Sequence, residues 1–132
     1  MARGTTWRSQ PPDRREAFPP AGVELAAEEL PGAVLVLKAR GEIDLSVHEQ
    51  FRSALCGAIA GNHEHVVVDL EGCFVDLGGI SALAEAAAAA NSLGRRLSLV
   101  STSKLLSKVL DIACPQLREL CHASTGEALR RD

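Results

Sequence analysis

No stretch of the 132-residue chain approaches the ~18 apolar residues that a membrane span requires. The longest greasy segment is interrupted by Glu85 and Asn91. A signal-peptide pattern is also missing, because arginines and prolines stand where an apolar core should follow the first residues. Both observations predict a soluble, cytoplasmic protein. Cys56, Cys73, Cys114 and Cys121 form no C-x-x-C pair. They predict small buried hydrophobes in a reducing compartment, Cys56 on the apolar side of a helix and Cys114 beside a helix end. Exposure of Cys73 and Cys121 would instead make them redox-sensitive. Neither His63-x-His65 nor Cys121-His122 has a third ligand at metal-binding spacing. There is no glycine-rich phosphate loop, and Cys121-His122 makes a poor thiol site because chain neighbours seldom point at one another. No enzyme activity, cofactor or metal is expected.

Net charge is small as well. The formal value is −3, which excludes a general affinity for nucleic acid. It is unevenly spread. Residues 1–20 carry four arginines against Asp13 and Glu16, a net +2, which leaves −5 on the rest. An acidic body suits a protein partner with a basic face, or simply keeps the chain in solution.

Residues 1–20 are rich in proline and arginine and show no period, so they are expected to be a disordered tail. Residues 21–132 are expected to be one domain. Val23-Glu24-Leu25 alternates, Pro31-Gly32 marks a turn and Ala33–Ala39 reads as a strand, which predicts a hairpin. Ser46-Val47-His48-Glu49 has the spacing of a capping box, with Val47, Phe51, Ala54, Leu55, Ala58 and Ile59 on the apolar stripe behind it. Gly61 is expected to end that helix with a left-handed cap. His65–Leu70 reads as a strand buried on both faces. A second helix is expected from Ile80 to Leu93, rich in alanine, with Gly94 as its stop. Leu97–Val100 is a further strand. Ser103 caps a third helix with Leu105, Leu106, Val109 and Leu110 inward, and Pro115 ends it. Leu117–Leu120 is expected as a last strand and Ser124–Glu127 as the cap of a terminal helix. Alternating strands and helices imply an α/β fold. The expectation is a mostly parallel or mixed sheet of four to five strands with about four helices.

The segment Phe74-Val75-Asp76-Leu77-Gly78-Gly79-Ile80 lies where a strand's carboxyl end hands over to a helix, the usual place for a site in such sheets. Two glycines remove two β-carbons, so another backbone can approach. Asp76 can cap the helix. The bland alternative is a turn that merely needs glycines.

Three runs carry a resemblance: LKARGEIDLSVHEQFRSAL, HVVVDLEGCFVDLGGISALAEA and GRRLSLVSTS. Together they resemble a STAS domain of the anti-sigma factor antagonist type over roughly residues 22–130. The resemblance implies a non-enzymatic protein that binds an anti-sigma factor of the histidine-kinase ATPase fold and frees a sigma factor for transcription. In that family the kinase phosphorylates a serine in the motif Asp-Ser-Ser/Thr-Gly-Leu/Ile. Here Asp76, Gly79 and Ile80 match, whereas the serine position holds Leu77 and the next holds Gly78. Leucine has no hydroxyl to accept a phosphoryl group, so the usual switch is absent.

The resemblance places partner binding on Asp44, Ser46, Asp76, Leu77, Gly78, Gly79, Ile80 and Ser81. Three outcomes stay open. Binding is unregulated, with Leu77 adding an apolar contact; or control has moved to Ser81 or Ser46; or oxidation of Cys73 disturbs the same surface. No nucleic acid and no membrane insertion are expected, and a homodimer is compatible with the sequence. The alternative reading is a STAS accessory subunit of an ABC-type lipid or solute transporter.

Overall fold

The structure, a computed structural model, describes residues 4–8 as backbone and residues 23–130 in full. The chain runs β1 (Gly4–Arg8), β2 (Val23–Leu30), β3 (Val34–Ile43), a 3-10 turn (Leu45–Val47), α1 (His48–Ala60), β4 (His65–Asp69) and β5 (Cys73–Val75). It continues through α2 (Leu77–Ser92), β6 (Arg96–Val100), α3 (Lys104–Ala113), α4 (Pro115–Arg118), β7 (Cys121–His122) and α5 (Thr125–Leu129). The strands form one mixed sheet in the order β1-β2-β3-β4-β6-β7, with β5 paired to β3 beyond the end of β4. β1, β2 and β3 are antiparallel, and the remaining pairings are parallel. The α/β class is as expected, with more strands and helices than the sequence suggested.

The valine run explains the centre of the sheet. Val66, Val67 and Val68 are all fully buried, so β4 is covered on both faces. On one face Val66 and Val68 meet a core built from Phe51, Leu55 and Ile59 of α1, Leu83 of α2, Leu110 of α3 and Leu117 of α4. On the other, Val67 joins Val36, Val100 and Ala128 of α5. Each fully buried Leu, Ile or Phe contributes about 1.5–3 kcal/mol relative to exposure. α1 and α2 also pack on each other. Ala82, Ala86 and Ala90 are buried on α2, where short side chains permit close approach.

Several local expectations change. Gly4–Arg8, read as part of a disordered tail, pairs along β2 from Glu28 to Glu24; the other residues of 1–20 lie outside the described residues. Ser46 does not cap α1. Asp44, two residues earlier, takes the Ser46 amide and starts the 3-10 turn, so α1 begins at His48 without a side-chain cap. Gly61 ends α1 in an extended conformation (φ −72°). α2 begins at Leu77, three residues before the expected start. Leu105 is exposed, because α3 buries only Leu106 and Leu110. Residues 117–120 close a short helix that Pro115 begins, and the last strand is Cys121–His122. The caps at Ser103 and Ser124 form as expected.

Candidate functional site

β3 and β5 run side by side and end together. Ile43 pairs with Val75, and the Asp76 amide donates to the Ile43 carbonyl at 3.2 Å. The two chains then repeat one pattern: Ile43-Asp44-Leu45 on β3 and Val75-Asp76-Leu77 on β5. In each, the β-branched residue is buried, the aspartate caps the next turn and the leucine is exposed.

Asp44 Oδ1 accepts from the Ser46 amide at 3.1 Å and the Ser46 hydroxyl at 2.7 Å. Asp76 Oδ1 accepts from the Gly79 amide at 2.9 Å and lies 2.8 Å from His48 Nε2. Burial works against charge on Asp76, but the Gly79 amide and the His48 ring together outweigh it and hold the carboxyl below its usual range. His48 therefore ties the first turn of α1 to the cap of α2. Arg52 and Glu85 make a second, surface bridge between these helices.

The glycines have an internal explanation. A β-carbon on Gly79 would stand 2.7 Å from Val75 Cγ1 and 2.9 Å from Ile43 Cγ2. Gly79 lets α2 settle on the ends of β3 and β5. A β-carbon on Gly78 would fall 1.9 Å from His48 Cε1. The space beside Gly79 is occupied by this chain's own core, and that beside Gly78 by its own imidazole, so neither is an empty ledge for a visiting backbone.

The expected partner-binding residues accordingly divide. Gly79 and Ile80 are buried. Asp44, Asp76 and Gly78 are half-buried, and Ser46 and Ser81 are exposed. Leu77 is 67% exposed. Leu45 (82% exposed) and Phe74 (55%) belong to the same end of the sheet and were missed, as was His48. The duplicated β-branched-Asp-Leu pattern was the available signal for Leu45.

Cys73 lies at intermediate depth, and desolvation pushes its thiol up to about 12. Almost no thiolate forms near neutrality, which argues against a redox role. Burial raises the Cys121 thiol too, against the opposing pull of Arg118. Cys56, expected on the apolar side of α1, is exposed. Among the described residues no group of three or more His, Cys, Asp or Glu could hold a metal ion. None of the described helices is long and apolar enough to cross a membrane. An open cleft of about 990 Å³, lined in part by Asn62, Glu64, Arg95 and Arg96, lies at the amino ends of the parallel strands, away from this corner.

A mixed sheet flanked by helices, with two capped Asp-Leu corners at the carboxyl ends of adjacent strands, makes this a small α/β domain. A family model described as "Mlab, STAS domain" matches residues 26–113, and the chain belongs to that family. No curated protein matches the sequence. Among solved structures the chain is similar to an anti-sigma factor antagonist from Mycobacterium paratuberculosis, with 19% identity, a TM-score of 0.75, and coverage of 84% of this chain and 94% of that one. It is similar to the Bacillus cell fate determinant SpoIIAA in its phosphorylated form, with 21% identity, a TM-score of 0.63, and coverage of 80% and 96%. It is also similar to a sulfate transporter family protein from Wolinella succinogenes, with 20% identity, a TM-score of 0.64, and coverage of 76% and 84%. At these identities the likeness is one of fold.

Proposed function

We propose that the protein is an anti-sigma factor antagonist: it docks on an anti-sigma factor of the histidine-kinase ATPase fold and so frees a sigma factor for transcription in the cytoplasm. It acts by binding, without catalysis. One observation carries this reading. Leu77 stands 67% exposed at the amino end of α2, beside the capping carboxylate of Asp76, at the position where the resembling family carries its phosphorylatable serine. The docking surface is centred on Leu45, Phe74 and Leu77, with Asp44, Ser46, Asp76, Gly78 and Ser81 around them. Exposed apolar side chains rimmed by polar ones suit a protein partner. A standard interface buries ~1,600 Å² in total, so this corner is its centre and neighbouring helix surface supplies the rest. No serine hydroxyl stands at the usual place, so a serine-kinase partner has no acceptor there.

The test is binding of the full chain to each anti-sigma kinase of the host by titration calorimetry. Binding that weakens in Leu77→Asp supports the reading, and no binding to any of them ends it. A second reading is an accessory subunit of an ABC-type transporter. Its support is a sulfate transporter family protein among the similar structures. Co-purification with a transporter ATPase in place of an anti-sigma factor would select it.

A further inference from the structure

We propose that His48 is a phosphoryl-accepting side chain, modified on Nδ1, and that it replaces the missing hydroxyl as the switch of this corner. The inference rests on the reading that a nucleotide-binding, kinase-fold partner docks here.

The geometry around the ring has three parts. Nε2 lies 2.8 Å from Asp76 Oδ1. A carboxylate only accepts, so it fixes the proton on Nε2 and leaves the lone pair on Nδ1. A carboxylate behind an imidazole also fixes its orientation. Nδ1 is not among the buried, unpartnered side-chain atoms, and no described residue bonds it. The ring packs against Gly78, in the first turn of α2. Asp76 takes the Gly79 amide there. The remaining first-turn amides and the positive end of a 16-residue helix offset incoming negative charge.

The other histidines lack this combination. His65 is buried against Ser98 Oγ. His63 has its Nδ1 buried. His122 Nδ1 is 4.0 Å from Glu127, beyond hydrogen-bond range.

In the step itself, the Nδ1 lone pair attacks the γ-phosphorus of a nucleoside triphosphate held by the partner. An N–P bond forms. The bridging P–O bond breaks, and its electron pair leaves with the nucleoside diphosphate. The Nε2 proton stays shared with Asp76. With the Nε2 proton retained, the product gains about one net negative charge, carried on a phosphoryl group beside a ring already bonded to the Asp76 carboxylate. Repulsion and desolvation then drive the partner off.

Two donors test this on the full chain. Potassium phosphoramidate needs no partner; ATP is supplied with each host anti-sigma kinase whose binding has been measured. Intact mass, peptide mapping at neutral pH and acid lability read the product. The expected result with both donors is one acid-labile phosphoryl group on His48. It should be lost in His48→Gln and form about tenfold or more slowly in Asp76→Asn. Circular dichroism melts establish that both variants are folded. Even labelling of all four histidines by phosphoramidate overturns the proposal. So does an acid-stable phosphate on Ser46 or Ser81. A kinase that binds without transferring phosphate to His48 overturns it while leaving the docking reading intact. Absence of binding by every kinase removes both.

Discussion

A β-carbon placed on Gly78 would stand 1.9 Å from Cε1 of His48, and 2.5 Å from both ring nitrogens. The imidazole and the glycine therefore share one space, and the ring reaches Asp76 only because residue 78 has no side chain. This contact joins α1 to the cap of α2.

Substitutions at the two glycines should separate. In Gly78→Ala the obstacle is the end of a movable side chain, so His48 swings away and its bond to Asp76 is lost. Alanine returns up to ~1 kcal/mol of helix propensity. Urea titration should place Gly78→Ala within about 1 kcal/mol of the parent, and the same change in a His48→Ala background should stabilise. Gly79→Ala meets Val75 and Ile43, which are core groups with no room to yield, and overpacking of this kind costs about 1–3 kcal/mol.

Leu45 and Leu77 are predicted to matter for binding and hardly at all for folding. Both are largely exposed, and surface changes usually stay within about ±0.5 kcal/mol. Calorimetry should show each change to serine weakening partner affinity by about tenfold, or ~1.4 kcal/mol, the scale of an interface anchor. Melting temperatures should be unchanged.

Acid should loosen the corner. The Asp76 carboxyl is held below its ordinary value in the fold, so its contribution is fully present above the unfolded value of about 3.9. That contribution is lost as pH falls through the lower folded value. Denaturation midpoints recorded from pH 6 downward should decline below about pH 4, and less steeply in Asp76→Asn than in the parent. An equal slope in the two proteins would assign the acid response to other carboxylates.

Thiol chemistry offers a separate check. With its thiol near 12, Cys73 holds far less thiolate at neutral pH than a free cysteine near 8.5. Alkylation of the native chain by iodoacetamide, followed by peptide mapping, should label exposed Cys56 first. Cys73 should lag by roughly a hundredfold or more, and urea should abolish the difference. Prompt labelling of Cys73 would restore the redox reading of this surface.

What the sequence made legible was local. The valine run of β4 and the caps at Asp76, Ser103 and Ser124 depend on residues within a few positions of one another, and each forms. Non-local pairing defeated the pattern. Gly4–Arg8 has no apolar period of its own, and its strand exists only because β2 offers an edge. Ser46 carried a sound capping signal, but Asp44 reached its amide first and turned the chain into a 3-10 segment. Leu105 and Leu106 both fit a helical stripe, and only contact with the sheet decides which one goes in.

The same division applies to the corner. Leu77-Gly78-Gly79 read as turn, because glycine disfavours helix by ~1 kcal/mol. The structure makes them the first turn of α2, held by His48, Val75 and Ile43 from two other elements. That a leucine stands where the resembling family carries its serine was visible in one line of sequence. The imidazole beside it was not, since 28 positions separate His48 from Asp76.

The duplicated Asp-Leu endings of β3 and β5 have a consequence for partner choice. Two leucines leave neighbouring strands in step, each braced by a carboxylate bonded back to its own main chain. The strand pairing and the two caps set the spacing of their backbones. If the corner docks a partner as proposed, the two leucines act like two teeth at set spacing and favour a counterpart whose hollows are spaced to match.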